Sequence, residues 1–407
     1  MYNLNFIDTK YKPKNELIAE YHVEPYRIDF RKACNHIAGE SSIGTWTDIG
    51  TLSKEMFKRL KPTVFSIKKD KIKIAYPLDL FEKGNMSQIL SSIAGNIFGM
   101  KSVKHLRLID IDFPKELVRS FKGPGMGLED IRNFTKIKDR PIAGTIYKPK
   151  IGLTDKEQAK LAYRIYKAGI DFSKDDENLC SMRFNSFRDR TVRILEVIDK
   201  IKDEEGRNVI YVPNVTAPYE EMMKRTEFVY EHGGKAIMMD ILTTGFSAHE
   251  ALSKDFRKMI IHGHRALHGA LTRDKHEGIS MLVIAKIARL LGVSSLHTGT
   301  VVGKMEGTKE EVSEINDFLK SKWFGLKRVM PAASGGLHPG LIPLVMKYLG
   351  NDLIINCGGG LWGHPDGYEA GVKAIRQSID ATMEGISLRD YSKNHYELRR
   401  ALEKWGS

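Results

Sequence analysis

The stretch PIAGTIYKPKIGLTDKEQAKLAYRIYKAGIDFSKDDEN, residues 141–178, reads as a strand, a helix and a second strand. Ile142–Tyr147 is short, apolar and β-branched and gives way to polar residues, Asp155–Ala168 is helical in pattern, and Gly169–Ser173 is again strand-like. Further strand-like runs follow at Val209–Pro213, Ala236–Asp240, Met259–His264, Ser295–Thr298, Val329–Ala333 and Leu353–Cys357, with helical stretches such as Met281–Leu291 between them. Eight such runs at intervals of about 20–40 residues predict an α/β fold, a (β/α)8 TIM barrel. The C-terminal ends of its strands are where chemistry is expected.

Upstream the pattern changes. A strand at Glu16–His22, a helix at Phe30–Ala38, a strand pair around Thr63–Pro77, a helix at Met86–Ile97 and a strand at His105–Phe113 follow a β-α-β-β-α-β order. That order predicts a ferredoxin-like α+β domain. The Gly/Pro-dense run Lys122–Gly127 marks a linker. The expected division is therefore 1–122 for the N-terminal domain, 123–140 for a linker and entry segment, and 141–407 for the barrel with C-terminal helices, the last being Asn394–Trp405.

Composition narrows the class. Hydrophobic residues at 42% and charged residues at 28% are globular values, and no apolar run approaches the ~20 residues that cross a bilayer. The opening segment MYNLNFIDTKYKPKNELIAEY lacks the apolar core of a signal peptide. Cys34, Cys180 and Cys357 are odd in number and have no C-x-x-C spacing, which argues against a disulfide framework or a zinc site. A reducing cytoplasm is expected, with no membrane partner. The net charge of +13 comes from scattered lysines and arginines without an aromatic-basic array, so no nucleic acid is expected. A small polyanionic substrate or a basic surface of no specific role accounts for it equally well.

The second barrel run ends in Lys174-Asp175-Asp176-Glu177. Alternate residues of a strand share a face, so Lys174 and Asp176 point together while Glu177 can curl back. An ion pair explains one lysine beside carboxylates; three carboxylates around it suit Mg²⁺ better. Lys148 and Lys150 end the first run on one face, suited to an anion and to acid–base work, or else to a solvated strand end. His262-Gly263-His264-Arg265 ends the fifth. A His-x-His metal pair of the amidohydrolase kind, giving a barrel hydrolase, is the rival reading. Such enzymes, however, carry the pair on the first strand and an aspartate on the eighth, where this chain has glycines. Arg265 reads better as a phosphate fork.

Gly299, Gly303 and Gly307 bracket Lys304 as a mobile flap. Met305 stands where a Walker A motif needs Ser or Thr. Ser334-Gly335-Gly336 and Gly358-Gly359-Gly360 follow the last two runs, where barrels commonly bind phosphate. Gly358–Gly363 also matches G-x-G-x-x-G, but no strand follows to supply a ribose-binding acid.

GTIYKPKIGL, DFSKDDEN, IIHGHRALH, LHTGTVVGKMEG, PAASGGLHP and NCGGGLWGHPDG, with GESSIGTWT and IAGNIFGM upstream, carry a family resemblance over nearly the whole chain. The sequence resembles the ribulose-bisphosphate carboxylase/oxygenase (RuBisCO) large chain, most like the archaeal type III branch. The resemblance implies Mg²⁺- and carbamate-dependent addition of CO₂ or O₂ to ribulose 1,5-bisphosphate, giving 3-phosphoglycerate, in nucleotide (AMP) salvage by analogy. It makes Lys174 the lysine that takes up CO₂ as a carbamate, with Asp176 and Glu177 as the other protein ligands to Mg²⁺. Lys148 serves acid–base steps with Lys150 supporting it, Lys304 stabilises the carboxylate forming at C2, and His264 contacts the C3 oxygen. Arg265, His297, Gly335, Gly336, Gly358 and Gly359 hold phosphates, and Ser334 places the sugar.

By the same resemblance Glu40, Thr45, Trp46 and Asn96 reach the site of a neighbouring subunit. The unit implied is a homodimer, or an assembly of dimers with shared sites, without a small subunit. A RuBisCO-like enolase or isomerase acting on another phosphorylated sugar or ketone is the alternative. Such relatives typically lose the flap lysine or other site residues, and Lys304, Lys148 and Lys150 are all present.

Overall fold

The computed structural model describes residues 4–45, 47, 49–303 and 307–406. Two units emerge: the chain up to Lys122 together with Leu267–Leu290, and Gly123–Ala266 together with the chain from Leu291 onward. Among the described residues no helix is long and apolar enough to cross a membrane.

In the first unit β1 (Leu17–Pro25), β2 (Thr63–Lys68), β3 (Lys71–Tyr76) and β4 (Val103–Asp112) pair antiparallel in the order β4-β1-β3-β2. With the helices Phe30–Glu40 and Met86–Ile93 in the connections, this is the ferredoxin-like arrangement. Asp29 and Asn85 start those helices by accepting hydrogen bonds from the backbone N–H groups of Lys32 and Gln88. Leu17, Ala19, Tyr21 and Val23, alternate residues of β1, are buried, which fixes the register against its neighbours.

The second unit contains β5 (Ile142–Ile146), β6 (Phe172–Lys174), β7 (Ile210–Val212), β8 (Ala236–Asp240) and β9 (Ile260–His264). After β10 (Gly278–Ile279), which belongs to the first unit, β11 (Ser295–Gly299), β12 (Met330–Ser334) and β13 (Ile354–Cys357) complete the second. Its eight strands pair parallel in the order β7-β6-β5-β13-β12-β11-β9-β8. β7 and β8 meet through an Asn214–Met238 bridge, with Met238 N–H on the Pro213 carbonyl at 2.8 Å, so the sheet closes on itself. The eight runs read from the sequence are these strands. The second begins three residues later than its run, because Gly169, at φ +114°, still belongs to the turn that ends the preceding helix.

Two segments depart from the division drawn from the sequence. Leu267–Leu290 is grouped with the N-terminal unit rather than with the rest of 141–407. β10 adds to β4 in parallel, and the Arg107 guanidinium gathers the carbonyls of Thr272, Asp274 and Glu277. The stretch 123–140 contains a helix, Leu128–Thr135, whose Leu128 and Ile131 pack with Ile142, Phe172, Ile210, Ala236, Ile260, Met330 and Ile354. These are the first residues of seven barrel strands, so the helix plugs the N-terminal end of the barrel. The glycines that marked a linker are there for close approach. A Cβ on Gly125 would lie 2.2 Å from the Arg257 carbonyl oxygen, and one on Gly127 would lie 2.5 Å from that of Arg328.

Near that end the buried Asp171 carboxylate takes both Arg140 terminal nitrogens at 2.6 and 3.0 Å, with Arg376 at 3.4 Å and Arg207 at 4.0 Å. Removing this buried acid would leave Arg140 without its partner beside Arg376 and Arg207, which keep Asp380 and Glu205. Asp171→Asn is therefore expected to lower stability by about 3 kcal/mol, read from the urea unfolding midpoint; an unchanged midpoint would contradict this.

Candidate active site

β6 carries the chain into the C-terminal mouth of the barrel, and the alternation of an extended chain sends Lys174 and Asp176 one way and Asp175 the other. Asp175 is fully buried and accepts from Gln158 Nε2 at 2.9 Å, Tyr211 Oη at 2.9 Å, Arg190 Nε at 3.1 Å and the Asn214 N–H at 3.0 Å. The expectation of three carboxylates around the lysine is thus corrected to two, since Asp175 is saturated on the far side. Asn214 continues this clamp by donating its side-chain amide to the Glu177 carbonyl at 3.1 Å.

Lys174 is completely buried, its Nζ donating to the Asp175 carbonyl at 2.9 Å and lying 3.6 Å from Glu177 Oε2. Burial pushes its ammonium down in pKa, against the pull of Glu177, Asp176 and Asp240. Burial would raise Glu177 in turn, but the charges of Lys174, His264 and Lys150 hold its carboxyl down at about 2. Lys148 Nζ binds Asp176 Oδ2 at 2.9 Å, and the more exposed Lys150 lies 3.6 Å from Glu177 Oε1. Each lysine of the pair therefore has its own carboxylate. His264 Nε2 is 3.6 Å from Glu177 Oε2, while its Nδ1 meets Asp240 Oδ1 at 2.6 Å.

Asp240, Asn214 and Arg190 are the members that sequence reasoning missed, and Asp175 is one that it placed on the wrong side. Asp240 is the polar residue that ends its strand, the same signal that picked out Lys174. Arg190 lies on the helix Phe187–Glu205 and gives no such signal.

The other half of the mouth is built from β9, β11, β12 and β13. Arg265 is buried with no carboxylate partner among the described residues, and burial brings its guanidinium down to about 10. Gly299, at φ +88°, makes room for it, since a Cβ there would lie 2.7 Å from Arg265 Nη2. His297 Nδ1 meets Ser334 Oγ at 2.9 Å, and its buried Nε2 has no protein partner. Gly335 and Gly336 turn at φ +115° and +82°. Lys148 Cε would lie 3.5 Å from a Cβ on Gly358, and the space beside Gly359 is open. A Cβ on Gly303 would lie 2.4 Å from the Gly335 carbonyl oxygen, which sets Gly303 against the β12 turn.

Lys304 and Trp46 lie outside the described residues. In the N-terminal unit Asn96 Nδ2 donates to Glu40 Oε1 at 3.4 Å, and Thr45 is exposed.

Among the described residues no three His, Cys, Asp or Glu side chains are grouped so as to hold a metal ion. Asp176 and Glu177 supply two oxygen donors beside Lys174. A lysine ammonium repels a cation, whereas a lysine carbamate adds an anionic oxygen, and hard cations take oxygen ligands. The donor set therefore fits Mg²⁺ if Lys174 is carboxylated.

Residues 127–405 match the family described as ribulose bisphosphate carboxylase large chain, catalytic domain, and residues 5–117 match its N-terminal domain. The ribulose bisphosphate carboxylase of Methanocaldococcus jannaschii is 46% identical, covering 99% of this chain and 100% of its own. Octameric Rubisco from Pyrococcus horikoshii, solved with sulfate ion, superposes with a TM-score of 0.94 at 46% identity, over 98% of this chain and 96% of that one. Dimeric archaeal Rubisco from Hyperthermus butylicus gives 0.91 at 41% identity, over 98% of both chains.

His262 and His297 are fully enclosed, and burial, reinforced by His264 and Lys174 nearby, holds both well below their ordinary pKa of 6.5. In acid the unfolded chain takes up protons that the folded one refuses. Their contribution to stability is thus complete above about pH 6.5 and is lost as pH falls. Urea unfolding is expected to give a lower midpoint at about pH 5 than at about pH 7.5, with a smaller difference in His262→Gln. Equal midpoints at the two pH values would contradict this.

Proposed function

Since the chain belongs to the ribulose bisphosphate carboxylase large-chain family, a family of carbon–carbon lyases, we propose that it adds CO₂, or O₂ in competition, to ribulose 1,5-bisphosphate at the mouth of the barrel. Loss of the C3 proton to a base at the site makes C2 nucleophilic; C2 then bonds CO₂, water adds at C3, and cleavage of the C2–C3 bond with protonation of C2 gives two molecules of 3-phosphoglycerate.

The observation that carries this reading is the enclosed Lys174 beside Asp176 and Glu177. A surface lysine at neutral pH is almost wholly ammonium, which cannot attack CO₂. Burial favours the free amine, which can: its nitrogen bonds the CO₂ carbon and gives up a proton to solvent, leaving an anionic carbamate. Bound by the carbamate, Asp176 and Glu177, Mg²⁺ supplies Lewis-acid stabilisation of negative charge on the substrate oxygens.

The protein's own groups account for the remaining steps. Lys148, drawn to the site by Asp176, delivers the final proton to the C2 carbon, with Lys150 keeping the local field positive. His264, oriented by Asp240, faces the C3 oxygen during hydration and cleavage. Arg265, His297 and the Gly335–Gly336 and Gly358–Gly359 turns hold the phosphates, Ser334 places the sugar between them, and Lys304 closes over the forming carboxylate. The likeness to the archaeal type III branch supports a role in AMP salvage, and three free cysteines suit a reducing cytoplasm.

The working unit is a dimer or an assembly of dimers with shared sites. Solved relatives are a dimer and an octamer, and the Glu40–Asn96 pair is the surface group that would reach a neighbour's barrel.

Incubation with CO₂ and Mg²⁺, followed by ribulose 1,5-bisphosphate and labelled bicarbonate, is expected to yield acid-stable label in 3-phosphoglycerate. No label from folded, metal-loaded protein under anaerobic conditions would reject the carboxylase reading. Lys174→Ala is expected to cost about 10³-fold or more in turnover while leaving the circular dichroism unchanged. Undiminished turnover would remove Lys174 from its role. Glu40→Ala and Lys174→Ala, each inactive alone, are expected on co-expression to recover about a quarter of wild-type activity through mixed dimers holding one intact site; no recovery would place Glu40 outside a shared site.

A further inference from the structure

The helix Tyr396–Trp405 lies outside the strand ends that form the barrel mouth, and none of the chemistry above calls on it. Its Trp405 nevertheless stands against both glycine turns. The indole stacks on His338 with ring centres 5.8 Å apart and planes inclined by 30°, and it meets His364 edge-on at 6.4 Å. His338 follows the Gly335–Gly336 turn by two residues, and His364 closes the loop that Gly358 opens.

The surrounding contacts make one rigid piece of these loops. Gly360 sits so tightly on the β12 loop that a Cβ would lie 2.1 Å from the Leu337 carbonyl oxygen and 2.5 Å from His338 Cα. Lys404 Nζ donates to the Gly363 carbonyl at 2.7 Å. His364 Nδ1 accepts from the Asp366 N–H at 3.1 Å, which leaves its Nε2–H to donate to the Glu397 carbonyl at 2.9 Å. On the inner side of the same loop Trp362 Nε1 donates to the Ile146 carbonyl at 2.7 Å, two residues before Lys148. Contacts thus run unbroken from Trp405 through both turns to the strand end that presents Lys148.

Backbone N–H groups recognise an anion only where their spacing is held, because glycine turns without side-chain packing are otherwise free to relax. Arg265 and His297 are fixed by their own burial, whereas the glycines are not. We propose that Trp405 is a positioning residue for the bisphosphate, holding the Gly335–Gly336 and Gly358–Gly359 turns at the separation that makes them one phosphate cradle. This rests on the carboxylase reading only for the identity of the ligand.

The test uses full-length Trp405→Ala and Trp405→Phe, activated with CO₂ and Mg²⁺. Trp405→Ala is expected to raise the KM for ribulose 1,5-bisphosphate about fivefold or more. It is also expected to weaken inorganic phosphate binding, measured by calorimetry, by a similar factor, with kcat within about twofold and the KM for CO₂ unchanged. Trp405→Phe, which keeps a ring between the two histidines, is expected to restore most of the loss. A fall in kcat or thermal stability with phosphate affinity and KM unchanged would overturn the proposal, as would a Phe variant no better than Ala. Should Trp405→Ala not fold, Lys404→Met, which removes only the bond to Gly363, is read by the same criteria. Because phosphate binding is measured without turnover, a wild-type protein that binds phosphate but fixes no CO₂ would reject the carboxylase reading and leave this inference standing.

Discussion

The Asp175 carboxylate, enclosed with Arg190 and bonded to Tyr211, Gln158 and the Asn214 N–H, is the interaction on which the site depends. A fully buried ion pair is a poor source of net stability, because desolvating both charges offsets most of their attraction. What it supplies is a unique orientation. With four donors satisfied, Asp175 cannot turn into the barrel, and alternation along the chain then forces Lys174 and Asp176 to do so. A one-residue slip of this short strand would place Asp175 in the mouth and bury Lys174 and Asp176 against the helices.

On the inner side the same buried setting is used differently. Lys174 is enclosed without a close carboxylate, its nearest acid being Glu177 at 3.6 Å. The contrast with Arg190, whose Nε lies 3.1 Å from Asp175 and whose guanidinium also reaches the Cys180 and Asn185 carbonyls, is chemical. An arginine holds its charge in such a place, whereas a lysine can lose a proton and become a nucleophile. The barrel thus places, on opposite sides of one strand end, an ion pair that fixes geometry and a lysine whose charged form burial disfavours.

The rest of the fold serves to hold this mouth open and steady. The helix Leu128–Thr135 fills the far end with apolar contacts against the first residues of seven strands. Charges that do gather near that end are paired around Asp171. Polar residues with unsatisfied atoms, among them His262, His297 and Asn356, lie on the barrel strands, and Ser334 and the glycine turns stand at the strand ends where a polyanion would enter.

The sequence by itself determined the eight strands, the ferredoxin-like order before them and the shared direction of Lys174 and Asp176 at a strand end. These follow from local periodicity and from the rule that strand ends carry chemistry, and neither needs distant contacts. Only the tertiary structure decided the rest. Gly125 and Gly127 read as part of a linker, but their small size serves packing against Arg257 and Arg328, which lie far along the chain. Leu267–Leu290 reads as part of the barrel, but Arg107 and β4 draw it to the other unit. Asp175 reads as one of three carboxylates around Lys174 until Gln158, Arg190, Tyr211 and Asn214 are folded around it. A pattern within a few residues reports which way a side chain faces, while its partner comes from another part of the chain and is fixed only when the barrel closes.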